Sequence, residues 1–306
     1  MAASLAERLL DDVRQRHPRS LQGVEEARAV WPERFDATAE MFLGWALEGL
    51  GETAIPRLVD AFVGFTFEVN RAQVLYEEDG RYMHSTFEEC ERQFYSQDEF
   101  MGDYLWGIYL TNFLWVHHFE ICLFYRDRYL SRLPSDAQLV EIAPGHGGWG
   151  VWALSQLESA RLDGFDLSPR SIQIAGNVAA AAGVGDRSTY TQCDALRLDE
   201  RGAGAADGCV CCFLAEHLEE PQRLIAAVRQ QLKPGGCGFL TAALTAAQVD
   251  HIYEFRRESE VVLMCEENGL RVVETFSGQP RRTLPNARFL PRSMALIVTP
   301  RRNEIW

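Results

Sequence analysis

The chain has 306 residues, nearly half of them apolar, and carries a formal net charge of −14 from 44 acidic against 30 basic side chains. That length exceeds one doubly wound domain and leaves room for a second region. The acidity, with arginine pairs isolated at Arg256-Arg257, Arg281-Arg282 and Arg301-Arg302, argues against nucleic acid or an anionic membrane surface as partner and leaves small-molecule or carrier-bound substrates.

Residues 1–133 contain no strand-turn-strand signal and are expected to be helical. The most apolar stretch, residues 104–125, is interrupted by Asn112, His117, His118 and Glu120 and flanked by Asp103 and Arg126. A buried helix is expected there rather than a membrane span, because a charged group in hydrocarbon costs about 2.5 kcal/mol or more. Leu110, Phe113, His117, Ile121 and Phe124 would share one face of that helix. Tyr104, Trp106, Tyr109, Trp115, Phe119 and Tyr125 crowd the same segment and suit either a core or a pocket for a partly apolar substrate or a cation. The polar breaker Leu133-Pro134-Ser135-Asp136 sets the boundary between a helical region, 1–133, and a second region, 134–306.

The second region opens on Leu139-Val140-Glu141-Ile142, a β-favouring run, followed by Ala143-Pro144-Gly145-His146-Gly147-Gly148-Trp149-Gly150 and an apolar helical pattern. Gly145, Gly147 and Gly150 satisfy G-x-G-x-x-G, a spacing shared by dinucleotide-binding turns. Charge separates the two readings: Glu141 would repel a pyrophosphate at a helix N-terminus but attract the ammonium and sulfonium of S-adenosylmethionine. A second strand ends at Asp166, ahead of Leu167, where a parallel sheet would bring the acid to ribose hydroxyls. A third ends at Asp194-Ala195, where Asp194 could accept a bond from an adenine amino group or simply cap a helix. Residues 203–208 read as a loop of small residues. Helices are expected over 171–182, 221–232 and 254–268, and closing strands over 269–276 and 294–299. Strand and helix alternate up to residue 241, which predicts a parallel, doubly wound α/β sheet; the last two strands lack a helix between them and predict an antiparallel hairpin at one edge.

Over roughly residues 130–300 this order of motifs resembles the class I S-adenosylmethionine-dependent methyltransferases, a Rossmann-like family. The resemblance implies that Glu141, Ala143, Gly145 and Gly147 hold the methionine portion, Asp166 and Leu167 the ribose, and Asp194 and Ala195 the adenine. Cys209-Val210-Cys211-Cys212-Phe213-Leu214-Ala215-Glu216-His217-Leu218 resembles the fourth strand and its ending, with Phe213 counted among the cofactor contacts, and Leu232-Lys233-Pro234-Gly235-Gly236 the turn before the fifth. Ala143 stands where the family most often has glycine, and alanine is uncomfortable at φ > 0.

A sulfonium methyl needs an in-line nucleophile and, for a hydroxyl, amine or carbon acid, a group that removes a proton. His217, at the carboxyl end of the fourth strand, is the first candidate, His117 the second, and Tyr82 with His84 the third. Each has a plain alternative as a loop brace or packed side chain. The expectation is a small-molecule methyltransferase whose residues 1–133 cap the cofactor and acceptor. Cleavage of another sulfonium bond and a non-catalytic binding role are the alternatives, and the helical region is also a candidate homodimer surface. Cys209, Cys211 and Cys212 lie within an apolar strand, and adjacent His117 and His118 point about 100° apart on a helix. No metal is therefore expected, and reduced thiols in a cytoplasmic protein are.

Overall fold

The computed structural model describes residues 3–301 except 96–97 and 202–203. Ala203 and Arg302 therefore lie outside the described residues. Helices α1 (Leu5–Arg16), α2 (Pro18–Val30), α3 (Pro32–Leu50), α4 (Ile55–Asp79), α5 (Phe87–Cys90), α6 (Asp98–Leu114) and α7 (Val116–Phe124) precede the first strand. Their starts follow from local chemistry. The Ser4 hydroxyl accepts the Glu7 amide at 3.2 Å, and α2, α3 and α4 each carry a proline in the first turn, where the missing N–H would have no partner in the helix. α4 ends on Gly80 at φ 71°, a conformation glycine adopts without steric cost.

The apolar stretch forms two helices rather than one. At Trp115 the backbone is extended (φ −94°, ψ 121°), so α6 stops and α7 begins in a new direction. The break is held by side chains: Nδ1 of His118 lies 3.0 Å from the Thr111 hydroxyl, and its Nε2 lies 3.2 Å from that of Ser293. A continuous stripe through Leu110, Phe113, His117, Ile121 and Phe124 is therefore lost. Leu110, Phe113 and Ile121 enter the core, Phe124 stacks on Phe276, and His117 turns to a different surface. No described helix is long and apolar enough to cross a membrane.

The strands are β1 (Gln138–Ile142), β2 (Arg161–Asp166), β3 (Ser188–Gln192), β4 (Ala206–Cys211), β5 (Leu232–Leu244), β6 (Leu270–Gly278) and β7 (Arg292–Pro300). They form one sheet in the order β3-β2-β1-β4-β5-β7-β6. β1 to β5 are parallel, and β7 is antiparallel to both of its neighbours. The expected hairpin forms the edge, with β7 on its inner side. The Leu232–Gly236 segment belongs to β5 rather than preceding it: Ala206 faces Leu232 while Gly208 faces Cys237, a register shift that absorbs the glycines. Between the strands run α8 (Gly148–Gln156), α9 (Pro169–Ala181), α10 (Pro221–Gln231) and α11 (Glu258–Glu267), the last starting four residues later than its composition suggests.

Two apolar cores sandwich the sheet. One is continuous from Leu9, Phe35, Phe42 and Phe113 in the N-terminal helices to Trp149 and Trp152 of α8 and Phe239 of β5. The other packs α10 and α11 against the opposite face through Leu224, Val228, Val261 and Cys265. Each fully buried phenylalanine stabilises the fold by about 1.5–3 kcal/mol relative to exposure. The N-terminal helices thus close over one face and the carboxyl edge of the sheet. Gly107 sets how near α6 comes to α4, since a Cβ there would lie 2.6 Å from Cβ of Phe65 and 2.8 Å from the Ala61 carbonyl.

Candidate functional site

A cleft of about 1040 Å³ opens at the carboxyl ends of β1, β2, β3 and β4 and extends beneath α4, α6 and α7. Ligands bind at this edge of parallel sheets because loops, helix N-termini and unpaired backbone groups converge there. Glu141, Ala143, Gly145, Asp166, Leu167, Asp194, Ala195 and Phe213 all line it, as do His117 and His217.

The turn after β1 is built from backbone conformations that few side chains accept. Ala143 takes φ +52°, in the left-handed region that alanine disfavours, and its amide donates to the Phe165 carbonyl at 2.8 Å. Gly147 (φ 74°) could not carry a side chain, because a Cβ would lie 2.7 Å from that of Ala175 in α9. Gly147 is not itself in the cleft lining; it lets α8 and α9 meet behind the turn. Gly150 has a similar role: a Cβ there would fall 2.2 Å from Oε2 of Glu141.

Glu141 is buried in β1 with Oε1 accepting the Gly150 amide at 3.2 Å, while Oε2 has no hydrogen-bond partner among the described residues. Burial pushes its carboxyl up to about 8, against the pull of the Gly150 amide and with a further push from Asp166. A buried acid with one unpartnered oxygen in the wall of a cleft fits a cationic ligand and not a pyrophosphate. Asp166 braces the turn: Oδ2 accepts the Gly145 amide at 3.0 Å and Oδ1 the Ser168 amide at 2.9 Å. Its pKa is raised by burial, with these amides opposing the rise. Each oxygen retains a lone pair able to accept a hydroxyl. Asp194 is exposed and caps the turn that follows it, accepting the Leu196 amide at 2.9 Å.

His146, in the centre of the turn, was not singled out by sequence. It is buried, its Nδ1 accepts the Gly148 amide at 2.9 Å, and Nε2 lies 3.2 Å from the Asn112 carboxamide of α6. Burial pushes it down to about 3, so it is a neutral strut between turn and helix. Its signal was a histidine where a turn needs only small residues.

The far wall is aromatic. Phe213, at φ +51° after β4, stacks on His118 at 4.9 Å, and Trp115 stacks on His117 at 5.5 Å. A bulky residue in the left-handed region costs on the order of 1–3 kcal/mol and tends to occur where function holds it. Burial lowers His117 to about 3, and burial with the neighbouring His117 lowers His118 well below its ordinary value, so both rings are neutral. Tyr104 also lines the cleft, whereas Tyr109, Phe119 and Tyr125 are core: the Tyr109 and Tyr125 hydroxyls donate to the carbonyls of Phe42 and Trp149.

His217 sits in the short turn after β4. Its Nδ1 lies 3.0 Å from the Tyr95 hydroxyl and 3.2 Å from the Asp250 carbonyl, and the Tyr95 and Tyr104 hydroxyls donate to Oδ2 of Asp250 at 3.0 and 2.6 Å. Burial raises Asp250, but His217, His251 and the two tyrosines outweigh it and hold the carboxyl below its usual range. Tyr82 is elsewhere: it packs on Tyr76 and His251 in a small separate cluster and does not line the cleft. His84 lies near Glu89 and Phe94, also outside the cleft lining.

The doubly wound sheet, with a glycine turn after β1 and acids on three successive strands lining one cleft, defines a Rossmann-like fold. Residues 139–236 match the family model described as a methyltransferase domain. A curated relative, the ubiquinone biosynthesis O-methyltransferase of Leptothrix cholodnii, is 27% identical over 150 residues, covering 43% of this chain and 63% of its own length. Among solved structures, phosphoethanolamine N-methyltransferase 2 of Haemonchus contortus in complex with S-adenosyl-L-methionine aligns with a TM-score of 0.52 at 13% identity over 72% of this chain and 61% of that one. Geranyl diphosphate methyltransferase in complex with SAM aligns at 0.51, with 13% identity over 71% of this chain and 96% of that one. These two share the fold. Residues 139–236 therefore carry a methyltransferase domain of the Rossmann-like kind, and the chain spans less than two thirds of the length of the curated relative it matches.

Proposed function

We propose that the chain binds S-adenosylmethionine along the carboxyl edge of the sheet and methylates a nucleophile on a small, largely apolar acceptor. Residues 134–306 would hold the cofactor and residues 1–133 would cap it. The observation that carries this reading is the unpartnered Oε2 of Glu141 in the same cleft as Asp166 and Asp194. When bound, the cofactor supplies an electrophilic methyl on a sulfonium.

The chain's own residues do the rest. Glu141 offers negative charge to the cationic end, Asp166 accepts ribose hydroxyls while fixing the Gly145 amide, and Asp194 keeps one carboxylate oxygen for adenine while the other caps its turn. Phe62, Phe65, Val69 and Trp115 offer the acceptor an apolar wall that excludes water. His217 is the group we assign to the acceptor, its ring oriented by Tyr95 and Asp250. His117, held neutral with a pKa near 3, is a weak base and serves as wall. The match to an enzyme named an O-methyltransferase favours a hydroxyl acceptor over nitrogen or carbon.

Calorimetry with S-adenosylmethionine tests the cofactor site: Asp166→Ala should weaken binding at least about tenfold, one lost charge-assisted hydrogen bond being worth roughly 1.5–3 kcal/mol. Equal affinity in both proteins, or none in the wild type, rejects the site. Mass spectrometry of the spent cofactor tests the chemistry, S-adenosylhomocysteine supporting methyl transfer and methylthioadenosine refuting it.

A further inference from the structure

Behind the cleft wall lies a group of side chains that neither the fold nor the cofactor explains. Glu216 and His217 follow β4, and His251 comes from the segment between β5 and α11. One ligand atom from each lies within 4.8 Å of the others. Glu216 and His251 are buried, at 0% and 1% exposure. Both carboxylate oxygens of Glu216 and Nε2 of His251 lack a well-formed hydrogen bond among the described residues, and the pull of the Glu216 and Ala243 amides does not offset the burial of the acid. A buried acid with neither oxygen satisfied is costly unless a cation or proton accompanies it.

The surrounding bonds orient both rings in the same sense. Nδ1 of His251 lies 2.7 Å from the Ala246 carbonyl, to which it can only donate. Nδ1 of His217 lies 3.2 Å from the Asp250 carbonyl and 3.5 Å from its Oδ2. With the proton on Nδ1, each ring leaves Nε2 as a lone pair. A backbone or carboxylate acceptor on one imidazole nitrogen, and nothing on the other, is the arrangement that prepares histidine to bind a metal. Asp250 is itself held through Oδ2 by the Tyr95 and Tyr104 hydroxyls, while its Oδ1 has no hydrogen-bond partner among the described residues.

The geometry points to a divalent transition-metal site formed by Glu216, His217 and His251, with Asp250 as the positioning residue behind His217. Two imidazoles and one carboxylate suit zinc, iron or manganese better than calcium or magnesium, which prefer oxygen alone. The three groups would close by less than an ångström or so each to reach bonding distances of about 2.0–2.2 Å. Because His217 also lines the cleft, the ion would sit beside the acceptor, and in the loaded protein His217 would face the acceptor through the ion and not as a free base. That last placement rests on the proposed function; binding of the ion does not.

The test uses the full chain, stripped with a chelator and desalted, then titrated with Zn²⁺ by calorimetry and with Co²⁺ by visible absorption. One equivalent should bind, and X-ray absorption of the zinc-loaded protein should give a shell of two imidazoles and carboxylate oxygen. His251→Gln and Glu216→Gln should each weaken binding by at least about a hundredfold, and Asp250→Asn by about 10–100-fold, the usual effect of removing an outer-shell partner. Failure of the wild type to retain a stoichiometric ion overturns the site. So does a shell containing sulfur, a result that needs no variant to fold. Metal content is read independently of methyl transfer, so an inactive protein that binds the ion refutes only the proposed reaction.

Discussion

Charge in β1 should couple cofactor binding to proton release. Glu141 is raised to about 8 from an ordinary 4.5 by burial, so below pH 8 the free protein holds it protonated. Other ionisable groups near it are acids or neutral: Asp166 on β2, Tyr190 on β3, Cys209 on β4 and Tyr125 beyond α7. A cationic ligand would draw the carboxyl back toward its ordinary value and expel the proton. Affinity should therefore rise with pH, by up to about tenfold per unit, until the free-state value near 8 is passed and the curve flattens. Between pH 6 and 8 that amounts to about fiftyfold in Kd, or roughly 2.3 kcal/mol at 1.36 kcal/mol per unit, because the group is already half ionised at pH 8. Calorimetry of S-adenosylmethionine in buffers of different ionisation enthalpy would count nearly one proton released at pH 6.5 and none in Glu141→Gln. The same shift has the opposite sign for stability. Raising the pH from 5 to 8 ionises this group in the unfolded chain but not in the folded one, so the ligand-free protein should lose stability over that window, and Glu141→Gln should remove the loss. A wild-type Kd flat from pH 6 to 8, or an equal slope in Glu141→Gln, would refute the reasoning.

The remaining expectations concern backbone and packing. Ala143→Gly should stabilise the protein by about 0.5–1 kcal/mol, since relief of roughly 1–2 kcal/mol of left-handed strain exceeds the added flexibility of the unfolded chain; urea unfolding measures it, and a destabilised variant would contradict the strain. Gly150→Ala should displace the Glu141 carboxylate and cost about 1–3 kcal/mol with a loss of cofactor affinity, read by unfolding and calorimetry together. Gly107→Ala should push α6 from α4, lowering stability by a similar amount; the shift in the cleft would be read as a raised KM for the acceptor with the cofactor Kd unchanged.

How much of this was legible in the chain depends on whether the deciding interaction was local. The alternation of strands and helices, the glycine turn and the acids at 141, 166 and 194 are set by residues within a few positions of one another, and they emerged in the sheet order and along one cleft. The break at Trp115 was not legible, because it is held by His118 reaching Thr111 on one side and Ser293 on the distant β7 on the other. Apolar periodicity continues through that point whether or not the backbone does. Asp194 shows the limit from another direction: the carboxylate proposed for adenine is already committed through one oxygen to its own turn, and sequence alone does not separate the two uses.

The histidines make the argument sharpest. His117 and His118 are adjacent in sequence and attract a metal reading by proximity, yet both are buried neutral rings packed against Trp115 and, for His118, Phe213. His217 and His251 are 34 positions apart and carried no such signal, yet their rings meet edge to face at 4.8 Å with Glu216 beside them. The parallel sheet brings them together: chain leaving β4 and chain leaving β5 emerge at the same edge, and the Glu216 carbonyl accepts the amides of Ile252 and Tyr253 at 2.9 Å, binding the two loops directly. Ligand spacing in sequence detects sites built on one helix or hairpin. Sites built from neighbouring strand ends become visible only when strand order is known, and for this fold that edge is where both Glu141, Asp166 and Asp194 and the Glu216 group converge.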